Sequence, residues 1–94
     1  MAPTRILLIG SGGREHALAW RLARDPGVEQ VYVGPGNPGM DDVATLITGL
    51  PLGDHDAVID VARRHGVDLV VVGPEAPLVA GLADALREAG IAVF

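Results

Sequence analysis

Cysteine is missing from the 94-residue sequence. That excludes a disulfide framework, a thiolate nucleophile and any zinc site built on sulfur. Lysine is missing too, and all seven basic residues are arginines. A Walker A loop needs a lysine on the β- and γ-phosphates, and Schiff-base chemistry needs a lysine amine; this chain can supply neither. Anything it holds through positive charge must be held by arginine or by backbone N–H groups. Aromatic residues make up 3% of the chain, and Trp20 and Tyr32 read as core or edge packing rather than as a stacking platform. A formal net charge of −5 argues against a protein whose affinity rests on nucleic-acid phosphates. No apolar run reaches the roughly 18 residues of a membrane span, and the glycines follow no period of three.

What is present describes one folded domain. Apolar residues make up 49% of the chain and mean hydropathy is +0.35, which is incompatible with disorder. A chain of this size buries roughly 60–65% of its unfolded surface, enough for one modest core. Met1 to Arg5 leads straight into a strand-like run without signal-peptide architecture; together with the absence of cysteine, this sets the expectation of a cytoplasmic protein.

Along the chain, short β-rich runs alternate with helical stretches. Arg5 to Ile9 is a continuous apolar run that breaks at Gly10, as a buried parallel strand does. Arg14 to Arg24 predicts a helix with a broad apolar face of Ala17, Leu18, Trp20 and Leu22, stopped by Asp25-Pro26-Gly27. Gln30 to Val33 predicts a second strand, and Gly34-Pro35-Gly36-Asn37-Pro38-Gly39 predicts an irregular segment. Ala44 to Ile47 is a candidate short edge strand. Asp54 is placed to cap a helix that carries Ala57, Val58, Val61 and Ala62 on one face, with Gly66 at its end. Asp68 to Val72 is the clearest buried-strand pattern in the chain. Pro77 suits the first position of a third helix lined by Leu78, Val79, Leu82 and Leu86 and closed by Gly90. Ile91 to Phe94 opens a last strand, an ending that reads as a piece of a longer protein.

This alternation implies an α/β fold: a Rossmann-like three-layer α/β/α domain around a parallel sheet. The expected strand order is 3-2-1-4-5, with the switch point between the first and fourth strands. In such sheets ligands bind beyond the carboxyl ends of the strands. Three unusual loops should converge there: Gly10-Ser11-Gly12-Gly13-Arg14-Glu15-His16, Pro35-Gly36-Asn37-Pro38-Gly39 and Gly73-Pro74-Glu75-Ala76-Pro77.

The first loop lets backbone approach an anion and ends at a helix N-terminus, whose free N–H groups favour phosphate. The dinucleotide fingerprint Gly-x-Gly-x-x-Gly would need glycine at position 15, where Glu15 stands. It would also need an acidic residue after the second strand, where Gly34-Pro35 stands. The loop therefore suits a single phosphate better than a nicotinamide dinucleotide. Glu15 itself has two readings, a ligand contact or a complement to the helix dipole. Glu75 is an isolated carboxylate at the end of an apolar strand, able to accept two hydroxyl hydrogen bonds such as a ribose diol offers; stabilising its own helix is the alternative. Asn37 either supports its own turn or reaches a ligand. His16, His55 and His65 are too scattered for a metal site, and no residue is assigned a catalytic role.

Gly10-Ser11-Gly12-Gly13-Arg14-Glu15-His16-Ala17-Leu18-Ala19-Trp20 resembles the N-terminal signature of the phosphoribosylamine–glycine ligase family. Pro35 to Gly39 and Gly73 to Leu78 resemble its next two blocks, in the same order and spacing. The resemblance covers essentially the whole chain. One departure stands at Ser11, where the family commonly has asparagine; the glycines are intact. The resemblance implies the N-terminal pre-ATP-grasp domain, residues 1–94, of an enzyme of purine synthesis. That enzyme joins glycine to 5-phosphoribosylamine through a glycyl phosphate, giving glycinamide ribonucleotide, ADP and phosphate. By the same resemblance Gly10, Ser11, Gly12, Gly13, Arg14 and Glu15 hold the substrate phosphate, and Glu75 with Gly73 and Pro74 holds the ribose. ATP and Mg²⁺ (or Mn²⁺) fall to domains absent from this chain, which by itself is expected to be inactive. Two rival readings are a nucleotide-cofactor module of an oxidoreductase and a free-standing regulatory domain of similar fold.

Overall fold

The computed structural model describes residues 4–72 and 79–94. Its chain order is β1 (Thr4–Gly10), α1 (Gly13–Ala23), β2 (Val28–Pro35), a 3-10 turn (Pro38–Met40), β3 (Thr45–Leu46), α2 (His55–Arg64), β4 (Leu69–Val72), α3 (Val79–Glu88) and β5 (Ala92–Val93). The five strands form one sheet in the order β3-β2-β1-β4-β5, and every pairing is parallel. Both the fold class and the strand order follow the sequence expectation.

Alternation along β1 divides the core in two. Leu7 and Ile9 join Tyr32, Val70, Leu82, Leu86 and the α2 residues Val58, Val61 and Ala62 on one side. Leu8 joins Val31, Val33, Ala19 of α1 and Met40 on the other. Helices α2 and α3 thus cover one face of the sheet and α1 the other. β1 lies at the centre with four consecutive buried residues, Ile6 to Ile9.

α1 differs from its expected face. Its buried residues are Glu15 and Ala19, with Leu22 partly buried against the same cluster. Leu18 and Trp20 are 39% and 49% exposed, and Ala17 is exposed. The small Ala19 lets the helix settle close on the sheet, so the turn that carries it faces inward and the larger side chains rotate out. Trp20 is therefore no core residue. Its ring lies under the Arg24 guanidinium, 4.3 Å from the centroid, a contact between neighbouring helical turns.

β2 is longer than predicted. It runs on through Gly34 and a cis Gly34–Pro35 peptide, because Gly34 and Pro35 pair with Ile9 and Gly10. The segment expected to be wholly irregular also contains the 3-10 turn at Pro38–Met40. β3 is a two-residue edge strand inside the predicted segment. β4 is less enclosed than its sequence suggested, since Val70 is fully buried and Leu69, Val71 and Val72 only partly. Asp54 caps α2 as expected, and Gly66 and Gly90 follow α2 and α3 with positive φ. The proposed roles of Pro77 and Leu78 at the start of α3 lie outside the described residues. No described helix is long and apolar enough to cross a membrane.

Candidate functional site at the carboxyl edge of the sheet

The register brings the first two of the predicted loops to one edge. Ile9 pairs with Gly34 on one side and with Val72 on the other, and Gly10 pairs with Pro35. The loops after β1 and β2 therefore leave the sheet side by side, and Val72 marks where β4 ends beside them. Gly73, Pro74 and Glu75 lie outside the described residues.

The loop after β1 is fastened to the loop after β2 by its carbonyl groups. The Gly36 N–H donates to Gly10 O at 2.9 Å, and Asn37 Nδ2 donates to Ser11 O at 2.6 Å. A trans peptide is planar, with N–H and C=O opposed. Drawing the Gly10 and Ser11 carbonyls towards the second loop turns the N–H groups of Ser11 and Gly12 the other way. Neither these nor the Gly13 N–H has a backbone partner among the described residues. Gly12 is the N-cap of α1, in extended conformation and with no side-chain cap, so the dipole end of the helix is left open. The helical ladder begins with the His16 N–H donating to Gly12 O at 3.1 Å. Ser11, Gly12, Gly13 and Arg14 are all exposed.

Asn37 uses both ends of its amide. Its Oδ1 accepts the Gly39 N–H at 2.9 Å, which caps the 3-10 turn, while Nδ2 holds Ser11 O. It supports its own turn and also ties that turn to the glycine loop. Neither this tie nor the Gly36–Gly10 bond is legible in the local sequence, because both are contacts between loops brought together only by strand pairing. The Gly-Pro-Gly-Asn-Pro-Gly spacing was the available signal, and it marked the turn without its partner. His16 was also passed over. It is partly buried, and its Cε1 would lie 3.9 Å from a β-carbon added at Gly39, so it lies beside the 3-10 turn.

Glu15 occupies the first turn of α1, where a carboxylate complements the dipole, but it does not project into solvent. It is 6% exposed and packs against Gly10. A β-carbon at Gly10 would come within 2.6 Å of Glu15 Cγ and Cδ, and Gly10 has φ +148°. Both facts require glycine there. Glu15 Oε2 is buried with no hydrogen-bond partner among the described residues.

The opposite edge of the sheet gathers the other polar side chains. Arg5 Nη2 donates to the Tyr32 hydroxyl at 2.6 Å, and Glu29 Oε2 lies 3.9 Å from Arg5 Nε. The Tyr32 hydrogen bond, aided by the nearby Glu29 and Asp68 charges, raises the Arg5 guanidinium above its ordinary value. The His65 ring centroid lies 4.7 Å from that of Tyr32, the two rings tilted by 39°. Among the described residues no three His, Asp or Glu side chains are grouped to hold a metal ion.

Comparison with known proteins agrees with this architecture. The family described as "Phosphoribosylglycinamide synthetase, N domain" matches residues 4–94. Proteins named phosphoribosylamine–glycine ligase from Agrobacterium fabrum, Rhodopirellula baltica and Escherichia coli are 61%, 53% and 48% identical to 96%, 100% and 96% of the chain. The chain spans 21% of the length of each. Among solved structures, a Rex-family repressor aligns over 96% of this chain and 43% of its own, with a TM-score of 0.63 and 20% identity. The same protein in complex with β-NADH aligns with a TM-score of 0.61. At that identity the likeness is one of fold.

Proposed function

Because the chain belongs to the phosphoribosylglycinamide synthetase N-domain family, we propose that it is the substrate-binding part of an ATP-dependent ligase acting on 5-phosphoribosylamine and glycine. The reaction forms glycinamide ribonucleotide, ADP and phosphate through a glycyl phosphate. The observation that carries this reading is the start of α1, which has no side-chain cap. There the Ser11, Gly12 and Gly13 N–H groups have no backbone partner among the described residues, the first two turned outward by carbonyl ties to the neighbouring loop. These groups suit a phosphate; Arg14, on the first turn, adds the cation that lysine cannot. Glu75, with Gly73 and Pro74, would receive the ribose hydroxyls. ATP and Mg²⁺ or Mn²⁺ would be held by parts of the ligase outside this chain, in the cytoplasm, with no nucleic acid or membrane as partner. An oxidoreductase cofactor module is disfavoured by Glu15 and Pro35, which stand where a dinucleotide loop has glycine and an acidic residue.

The test is Glu75→Gln in the full-length ligase. The substitution keeps size and removes the charge-assisted part of each hydrogen bond, which contributes roughly 1.5–3 kcal/mol. The KM for phosphoribosylamine should rise about tenfold with ATP and glycine KM little changed. Unchanged KM with a lower melting temperature would instead assign Glu75 to its helix.

A further inference from the structure

The buried carboxylate of Glu15 is the least expected group at this edge. An acidic side chain that is 6% exposed, with Oε2 unpartnered among the described residues, is costly wherever it serves no purpose. Its position is informative. Counting from Gly10, it stands where a Gly-x-Gly-x-x-Gly loop has its third glycine, the one that allows close helix–strand packing while the second glycine admits a diphosphate. Here the side chain folds back into that space. It fills the space that a β-carbon at Gly10 would take, and Oε2 would lie 3.7 Å from a β-carbon at Gly12. Both remaining glycines of the pattern are therefore lined by one carboxylate. The loop cannot relax away from it, because its carbonyls are held by Gly36 and Asn37.

We infer that Glu15 is a specificity-determining residue, which reserves the start of α1 for a phosphate monoester and excludes a diphosphate. The N–H groups of Ser11, Gly12 and Gly13, which have no backbone partner among the described residues, donate to one phosphoryl group. A second one, placed along the loop as a dinucleotide places it, meets the space and charge of Glu15. The inference rests on the proposed phosphate role of this loop and adds to it the class of phosphate admitted. A fold shared with an NADH-complexed repressor makes the exclusion meaningful, since the scaffold itself is compatible with a dinucleotide.

Ribose 5-phosphate and ADP-ribose form the probe pair, because both present a ribose 5-phosphoryl group and only the second continues it as a diphosphate. In the full-length ligase, calorimetry measures ribose 5-phosphate affinity, and competition measures how well ADP-ribose displaces it, which ignores any binding at a separate ATP site. The parent protein should bind ribose 5-phosphate and resist displacement. Glu15→Gly, which completes the Gly-x-Gly-x-x-Gly pattern, should shift the ratio of the two affinities at least tenfold towards ADP-ribose. Glu15→Ala should shift it in the same direction and keeps the test open if the glycine variant folds poorly. Parent-like ratios in whichever variants fold would overturn the inference while leaving the phosphate reading intact. A parent protein that does not bind ribose 5-phosphate would remove both. Circular dichroism on each variant separates loss of fold from change of ratio.

Discussion

Helices α1 and α2 both begin at the carboxyl edge of the sheet, and they begin differently. α2 carries its own anion: Asp54 Oδ1 accepts the Ala57 N–H at 3.1 Å, so the dipole end of that helix is closed. α1 starts on Gly12 with no side-chain cap, and its loop N–H groups are turned outward by the bonds to Gly36 and Asn37. Replacing a capping side chain with glycine costs only a few tenths of a kcal/mol, so an open start is cheap to maintain. α2 fills its anion site from within; on the proposed function, α1 leaves its own for a ligand.

The largest effect is expected where α1 meets β1. Gly10→Ala combines a φ of +148° with overlap against Glu15. It should destabilise the protein by about 2–4 kcal/mol, read from denaturant unfolding. Adding Glu15→Ala should recover the overlap part and leave the strain.

The comparison can also be broken directly by giving α1 the cap that α2 has. Gly12 has φ −91°, and among the described residues a β-carbon there meets only Glu15 Oε2, at 3.7 Å, so Gly12→Asp is sterically admissible against them. A built-in carboxylate would accept from the Arg14 or Glu15 N–H and set its negative charge beside the Ser11, Gly12 and Gly13 N–H groups proposed to hold phosphate. Ribose 5-phosphate affinity should fall about a hundredfold, or roughly 2.7 kcal/mol, with little change in melting temperature. The converse, Asp54→Ala, should cost about 1 kcal/mol of stability and leave that affinity unchanged.

A smaller effect isolates the tie between the loops. Asn37→Ser keeps an acceptor for the Gly39 N–H and gives up the reach to Ser11 O. Ribose 5-phosphate binding should weaken about threefold, corresponding to roughly 0.6 kcal/mol, with the 3-10 turn preserved by circular dichroism.

Much of this was legible in the sequence for physical reasons that can be named. The apolar runs at Ile6–Ile9 and Leu69–Val72 and the cap at Asp54 are local signals, and each became the expected element. The face of α1 was misjudged because hydrophobicity alone favoured Trp20 and Leu18, whereas close packing on the sheet favoured Ala19 with Leu22 and drew Glu15 inward. The glycine loop and the Asn37 turn were both legible as motifs. Their mutual hydrogen bonds depend on the pairing of Gly10 with Pro35, a contact between distant residues that no local pattern encodes. Glu15 was legible as a departure from the dinucleotide fingerprint, but its burial against Gly10 appears only in three dimensions.

On the proposed function, the start of α1 receives a phosphate through backbone N–H groups. An amide-resolved NMR titration of the ¹⁵N-labelled protein with ribose 5-phosphate tests it most directly. The Ser11, Gly12 and Gly13 resonances should move together and saturate on one curve, while Ala57, at the capped start of α2, stays in place. Saturable binding that moves other resonances and leaves those three unmoved would contradict the account.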